Sequence, residues 1–110
     1  MDLQVFITEL DVNDQDLGGS EVKRDATIAR VYAEYLSMML AEPNVTAVLT
    51  WGITDRYTPL DKEKFERRDS QPQRPLPFDE NYQPIAALFA LRDAFDRRVT
   101  GWIRRSMSTL

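Results

Sequence analysis

Hydrophobic and polar residues alternate along the chain in blocks, two of which are typical of β-strands. Residues 3–12 read LQVFITELDV, which is rich in β-branched and aromatic residues and predicts a strand. Almost every residue up to Thr8 is apolar, and a strand that is apolar on both faces suits a parallel sheet covered by helices. Residues 45–52, VTAVLTWG, form a second run of the same kind. We therefore expect two buried, parallel strands.

Each predicted strand is followed by a segment with helical periodicity. From about Ala26 to Glu42, and again from Ile85 to about Arg98, apolar residues recur at steps of three and four. Asp25 is placed to cap the first helix. The apolar positions are Ile28, Val31, Tyr32, Tyr35, Leu36 and Met39 in the first helix, and Ile85, Leu88, Leu91, Phe95 and Val99 in the second.

The order strand, helix, strand, helix predicts an α/β fold with parallel strands joined by a crossover helix. We treat residues 1–110 as a single region, in which residues 99–110 either extend the second helix or fray. The segment 58–84, rich in proline and charge, predicts a long loop, and loops of this length are usually functional or disordered. Sites in such folds lie where the strands end.

Composition narrows the possible chemistry. The chain has 14 basic and 18 acidic residues, a net charge of −4, which argues against nucleic-acid binding because that usually needs a basic face. It contains no cysteine and no histidine, which excludes thiolate and histidine-ligated metal sites and a Ser-His-Asp triad. No apolar run approaches the roughly 20 residues of a membrane span. We expect no cofactor, metal or membrane partner.

The candidate functional residues follow the two strands. Glu9 and Asp11 end the first, and a spacing of two predicts that they share one face with Val5 and Ile7. Both acids could instead be ordinary exposed carboxylates of an edge strand. Trp51 ends the second strand and could be part of the core rather than of a site. The polar residues after it are Thr54, Asp55, Arg56 and Tyr57.

Two charged segments are read as solvated surface. One is the run Asp61–Asp69 in the long loop. The other is the basic tail, for which a contact with a polyanion has no further support. The tail arginines are Arg97, Arg98, Arg104 and Arg105.

Three segments together resemble the glycoside hydrolase family 10 xylanases. Residues 7–12, ITELDV, match the family signature around its nucleophile. Residues 50–57, TWGITDRY, are similar to the family's tryptophan-glycine segment, and residues 74–84, RPLPFDENYQP, to its proline-rich stretch. The three occur in the family's order at plausible intervals, so the combination is far more specific than any one of them.

The resemblance implies a (β/α)₈ barrel of which this chain is the C-terminal part, strand 7, helix 7, strand 8 and helix 8. It implies retaining hydrolysis of internal β-1,4-xylosidic bonds in xylan or xylo-oligosaccharides by proteins that are typically secreted. Glu9 takes the position of the nucleophile, and Asp11 supports it through a histidine on another strand. Trp51 matches the floor of the sugar subsite beside cleavage, and we assign Arg56 and Tyr57 to substrate binding.

Two departures from the family pattern change this picture. Pro59 stands where the family has a second sugar-contacting tryptophan. The acid/base carboxylate of the family lies on strand 4, outside this sequence, so we expect the 110 residues alone to be inactive. The chain is then either part of a xylanase, as a piece of a longer gene product or paired with a complementary piece, or a non-catalytic fragment that self-associates or binds xylan weakly.

Overall fold

The chain folds into two parallel strands and two long helices, in the predicted order. The computed structural model describes residues 2–108, except the side chain of Glu63. The elements are β1 (Val5–Leu10), α1 (Glu21–Met39), β2 (Val45–Thr50) and α2 (Ala86–Ser108). The two strands pair in parallel, as expected for strands joined by a crossover helix. Their carboxyl ends therefore lie at the same edge of the sheet.

The end of β1 is irregular, and this irregularity changes the face of the strand on which Glu9 lies. Ile7 pairs with Val48 and Leu10 with Thr50, so β1 has one residue more than β2 over this stretch. Such a bulge breaks the two-residue alternation of side chains. Ile7 is buried against the helices, whereas Glu9 is exposed. The prediction that Glu9 lies on the same face of the strand as Ile7 is therefore wrong.

Helix α1 begins earlier than the hydrophobic pattern predicts. The hydroxyl of Ser20 accepts a hydrogen bond from the backbone N–H of Lys23 at 3.3 Å, so Ser20, not Asp25, caps the helix. The buried row continues N-terminally at Arg24, four residues before Ile28. Because a charged residue occupies this core position, the apolar periodicity could not reveal the first turn.

Helix α2 packs against α1 through a face that the apolar pattern identified only in part. Its buried residues are Ala87, Leu91 and Ala94, whereas the predicted core residues Phe95 and Val99 are exposed. Two of these three buried residues are alanines, whose weak hydrophobic signal hides the buried face from the apolar pattern. The helix continues through position 101 to residue 108, and the last two residues of the predicted tail lie outside the described part of the chain.

The hydrophobic core lies between the sheet and the two helices. Tyr32 is fully buried there, and its hydroxyl donates to the backbone carbonyl of Pro75 at 2.5 Å. This bond ties the long loop to the core. The other buried members of the cluster are Ile7, Ile28, Leu36, Leu40, Val45, Ile85, Ala87, Leu91 and Ala94.

The long segment after β2 is ordered rather than a featureless loop. It contains three short 3₁₀ helices, Asp55–Tyr57, Pro59–Asp61 and Glu63–Phe65. Within the run predicted to be solvated, Arg67 is buried and donates to the carbonyl of Leu17 at 2.8 Å. The expectation of a wholly solvated run is therefore wrong at Arg67, because this arginine pairs with groups from the β1–α1 loop.

Candidate functional site

Glu9 lies at the carboxyl end of β1 with its side chain exposed. Its backbone has φ +60°, in the left-handed region that non-glycine residues rarely adopt. This conformation coincides with the bulge that adds a residue to β1 between Ile7 and Leu10. Strained residues of this kind cluster at functional sites, where the surrounding structure holds a side chain in a particular direction.

Asp11 follows Glu9 on the way out of the sheet and is half-buried. Burial raises the pKa of its carboxyl group above the usual range. Its charge contributes to raising the pKa of the buried Tyr32, after the larger effect of burial. Within residues 2–108, no hydrogen bond or ion pair involves the Asp11 side chain.

Trp51 stands beside the end of β1. Its backbone N–H donates to the carbonyl of Leu10 at 2.8 Å, which fixes its main chain next to Glu9. Trp51 is 48% exposed, so the alternative interpretation, in which it is part of the core, is wrong. Gly52 follows with φ +106°, and a Cβ there would lie 3.3 Å from Leu76, so a side chain at position 52 would be strained and crowded.

Asp55 organises the loop behind Trp51 from a buried position. Only 5% of it is exposed, and its Oδ1 accepts a hydrogen bond from the backbone N–H of Leu76 at 2.9 Å. Its Oδ2 has no hydrogen-bond partner among the described residues. Burial raises the pKa of this carboxyl to about 8, against the smaller opposing effects of the Leu76 hydrogen bond and Arg74.

Arg56 and Tyr57 are brought together with a residue that the sequence analysis did not assign to the site. The hydroxyls of Tyr57 and Tyr82 lie 3.3 Å apart, and the Arg56 guanidinium carbon is 5.9 Å from the centre of the Tyr82 ring. Tyr82 lies within a motif used for the resemblance, but nothing in its spacing predicts that it meets Tyr57, which is 25 residues away.

A buried ionic cluster beneath the site also escaped the sequence analysis. Asp14 is fully buried, and its Oδ2 lies 2.8 Å from Arg24 Nη1 and 3.6 Å from Arg67 Nη1. Its Oδ1 accepts from the backbone N–H of Arg74 at 3.1 Å, and its own N–H donates to Gln73 at 3.0 Å. An isolated aspartate in a polar loop gives no sequence signal for such burial.

Residues 2–108 bring together no group of three or more acidic side chains suited to hold a metal ion. Among residues 2–108, no helix is both long enough and apolar enough to cross a bilayer.

Parallel strands with acidic and aromatic residues at their carboxyl ends define an α/β protein with a candidate site in the strand-to-helix loops. A sequence model of glycosyl hydrolase family 10 matches residues 1–94. The chain belongs to this family.

Individual relatives agree with the family. Endo-1,4-beta-xylanase B of Thermotoga neapolitana is 34% identical over 97 residues, which are 88% of this chain and 26% of that protein. Xylanase 10B from Thermotoga maritima matches in structure with a TM-score of 0.71 and 30% identity, covering 90% of this chain and 29% of that one. Xylanase 10B from Thermotoga petrophila RKU-1, solved with xylobiose, gives a TM-score of 0.70 at 30% identity, over 88% of this chain and 28% of that one.

The chain therefore spans little more than a quarter of the length of these relatives. Its α/β structure is a fragment of their TIM-barrel fold.

Proposed function

We propose that this chain supplies the nucleophile-bearing part of a retaining endo-1,4-β-xylanase, with Glu9 as the nucleophile. The observation that carries the proposal is the position of Glu9, exposed at the carboxyl end of β1 in a left-handed conformation and beside Trp51. Xylanase names among the relatives support xylan as the substrate, and one related structure contains xylobiose.

We assign the elements to the last part of the barrel. In this proposal β1, α1, β2 and α2 are strand 7, helix 7, strand 8 and helix 8, and residues 1–110 form one region of the catalytic barrel. The parallel pairing of β1 with β2 and the packing of α1 against α2 support this assignment.

The chemistry proceeds through a covalent glycosyl-enzyme intermediate. The Glu9 carboxylate attacks the anomeric carbon while an acid/base carboxylate, about 5–5.5 Å away, protonates the leaving oxygen and then activates water. That second carboxylate belongs to a strand outside this sequence. Trp51 carries the sugar on its indole face, Arg56 and Tyr57 contact the substrate, and Asp11 supports Glu9.

The test uses a barrel assembled from this chain and a separately expressed piece of a family 10 xylanase that carries strands 1 to 6. Glu9→Gln removes the nucleophile with little change in shape, so we expect hydrolysis of an aryl xylobioside to fall by about three orders of magnitude or more. Glu42→Gln is the matched control, because Glu42 is exposed and follows α1, before the amino end of β2. Full activity of the Glu9→Gln assembly would refute the assignment.

A non-catalytic fragment is the second candidate, favoured by exposed apolar residues in and next to the sheet. Phe6 and Leu49 in the strands, and Leu3 before β1, are each more than half exposed, and unpaired strand edges invite association with other chains. Sedimentation and an assay of the purified 110-residue chain distinguish the candidates. Oligomers that do not hydrolyse an aryl xylobioside, and gain no activity with the complementary piece, would favour the fragment. Activity on complementation would favour the enzyme.

A further inference from the structure

Two exposed tyrosines and an arginine meet in the segments that follow β2, at a surface here called the tyrosine platform (Arg56, Tyr57 and Tyr82). Tyr57 is 73% and Tyr82 51% exposed, although their hydroxyls lie 3.3 Å apart. The Arg56 guanidinium lies over the Tyr82 ring, and within residues 2–108 it forms no ion pair. The platform therefore presents aromatic faces and unpaired N–H donors to solvent.

The backbone of Tyr82 is strained in a way that packing does not explain. Its φ is +60°, a region in which glycine or asparagine is less costly than tyrosine. The turn is held by a hydrogen bond from the Tyr82 N–H to the Asp79 carbonyl at 3.0 Å. Asp79 Oδ1 also accepts from the N–H groups of Asn81 and Gln83, each at 2.9 Å. A strained, exposed tyrosine in a firmly held turn indicates a function for its side chain.

The same turn is fastened to the segment that follows Trp51. Thr54 Oγ1 donates to the carbonyl of Asp79 at 2.6 Å, and the N–H of Phe78 donates to the carbonyl of Ile53 at 3.1 Å. The platform is thus fixed to the main chain that leaves the candidate sugar subsite.

We propose that the tyrosine platform binds a xylose ring of the substrate chain. This inference rests on the proposed xylanase function and adds Tyr82 to the substrate-binding residues. Tyrosine faces pack on the C–H groups of a pyranose, and the Arg56 guanidinium donates to its hydroxyls. The acidic residues of the same turn, Asp79 and Glu80, disfavour an anionic substituent, so the ligand is an uncharged xylose unit.

The experiment measures the affinity of the purified 110-residue chain for xylohexaose by calorimetric titration. Tyr82→Asn keeps a residue suited to the left-handed backbone and removes the ring, and Tyr57→Ala removes the other ring. Each variant should weaken binding about tenfold without lowering the urea midpoint of unfolding. Phe89→Ala is the matched control, because Phe89 is also exposed, under Arg92 at 5.1 Å, but lies on α2; it should bind as the wild type does.

The proposal is overturned if the wild-type chain does not bind xylohexaose, if both tyrosine variants keep its affinity, or if Phe89→Ala weakens binding equally. It is also overturned if affinity falls only in variants with a lowered unfolding midpoint. The Glu9 assignment is tested separately, by the loss of hydrolysis in the assembled barrel. Loss of xylohexaose binding in the tyrosine variants and loss of hydrolysis in Glu9→Gln are different measurements, so failure of the platform is distinguishable from failure of the nucleophile assignment.

Discussion

At the scale of the residue, Asp55 is a buried carboxyl group with a strongly raised pKa. It is buried behind Trp51, it holds the N–H of Leu76, and one of its oxygens has no partner among the described residues. Burial raises its pKa to about 8, so the folded chain retains this proton well above the usual value of 3.8. A carboxyl group in the loop after Trp51 is thus neutral up to a pH of about 8.

The raised pKa of Asp55 predicts that stability falls as the pH rises from about 4 to about 8. Over this range the folded chain binds more protons than the unfolded chain, so the free energy of unfolding decreases with pH. One proton gives a slope of at most about 1.4 kcal/mol per pH unit. Urea unfolding of wild type and Asp55→Asn at several pH values checks this, since asparagine mimics the neutral carboxyl and removes the contribution.

The comparison between the two proteins isolates Asp55 from other titrating groups. We expect the difference in unfolding free energy between Asp55→Asn and wild type to grow in favour of the variant as the pH rises. A difference that is independent of pH between 4 and 8 would show that Asp55 ionises normally in the folded chain.

At the scale of the element, the N-terminus of α1 depends on Ser20. Its hydroxyl accepts from the Lys23 N–H, one of the donors that a helix leaves without a partner in its first turn. Ser20→Ala should therefore lower the free energy of unfolding by about 1 kcal/mol, measured as a shift of the urea midpoint. Ser37→Ala is the control, because Ser37 is exposed in the helix interior, where alanine is the better helix former. Equal effects of both changes would contradict the cap.

The elements themselves were largely predictable, because strands and helices have distinct apolar periods. The sequence predicted both strands and their order, and the structure confirms the parallel pairing. It did not predict the bulge at Glu9, because a left-handed glutamate has no compositional signal. The first turn of α1 was missed because Arg24 occupies its buried row, and charge hides a core position from hydrophobic periodicity.

At the scale of the whole molecule, long-range polar contacts hold the loops in place. Asp25 and Arg74 pair through two bonds, from Nε at 2.7 Å and Nη2 at 2.9 Å, which joins α1 to the proline-rich stretch. Gln73 donates to the carbonyls of Leu60 and Phe65 at 3.0 and 2.5 Å. These partners are far apart in sequence, so no local pattern could predict them. The site residues Glu9 and Trp51 could be proposed from motifs, but the meeting of Tyr57 with Tyr82 required the fold.

In the proposed function, Glu9 is one of the two carboxylates that retaining hydrolysis needs. The most direct test of Glu9 as the nucleophile is to treat the assembled barrel with a 2-fluoro-xylobioside inactivator and locate the modified residue by peptide mass spectrometry. We expect a single covalent label on Glu9, absent from Glu9→Gln. A label on any other residue, or an unchanged labelling pattern in Glu9→Gln, would contradict it.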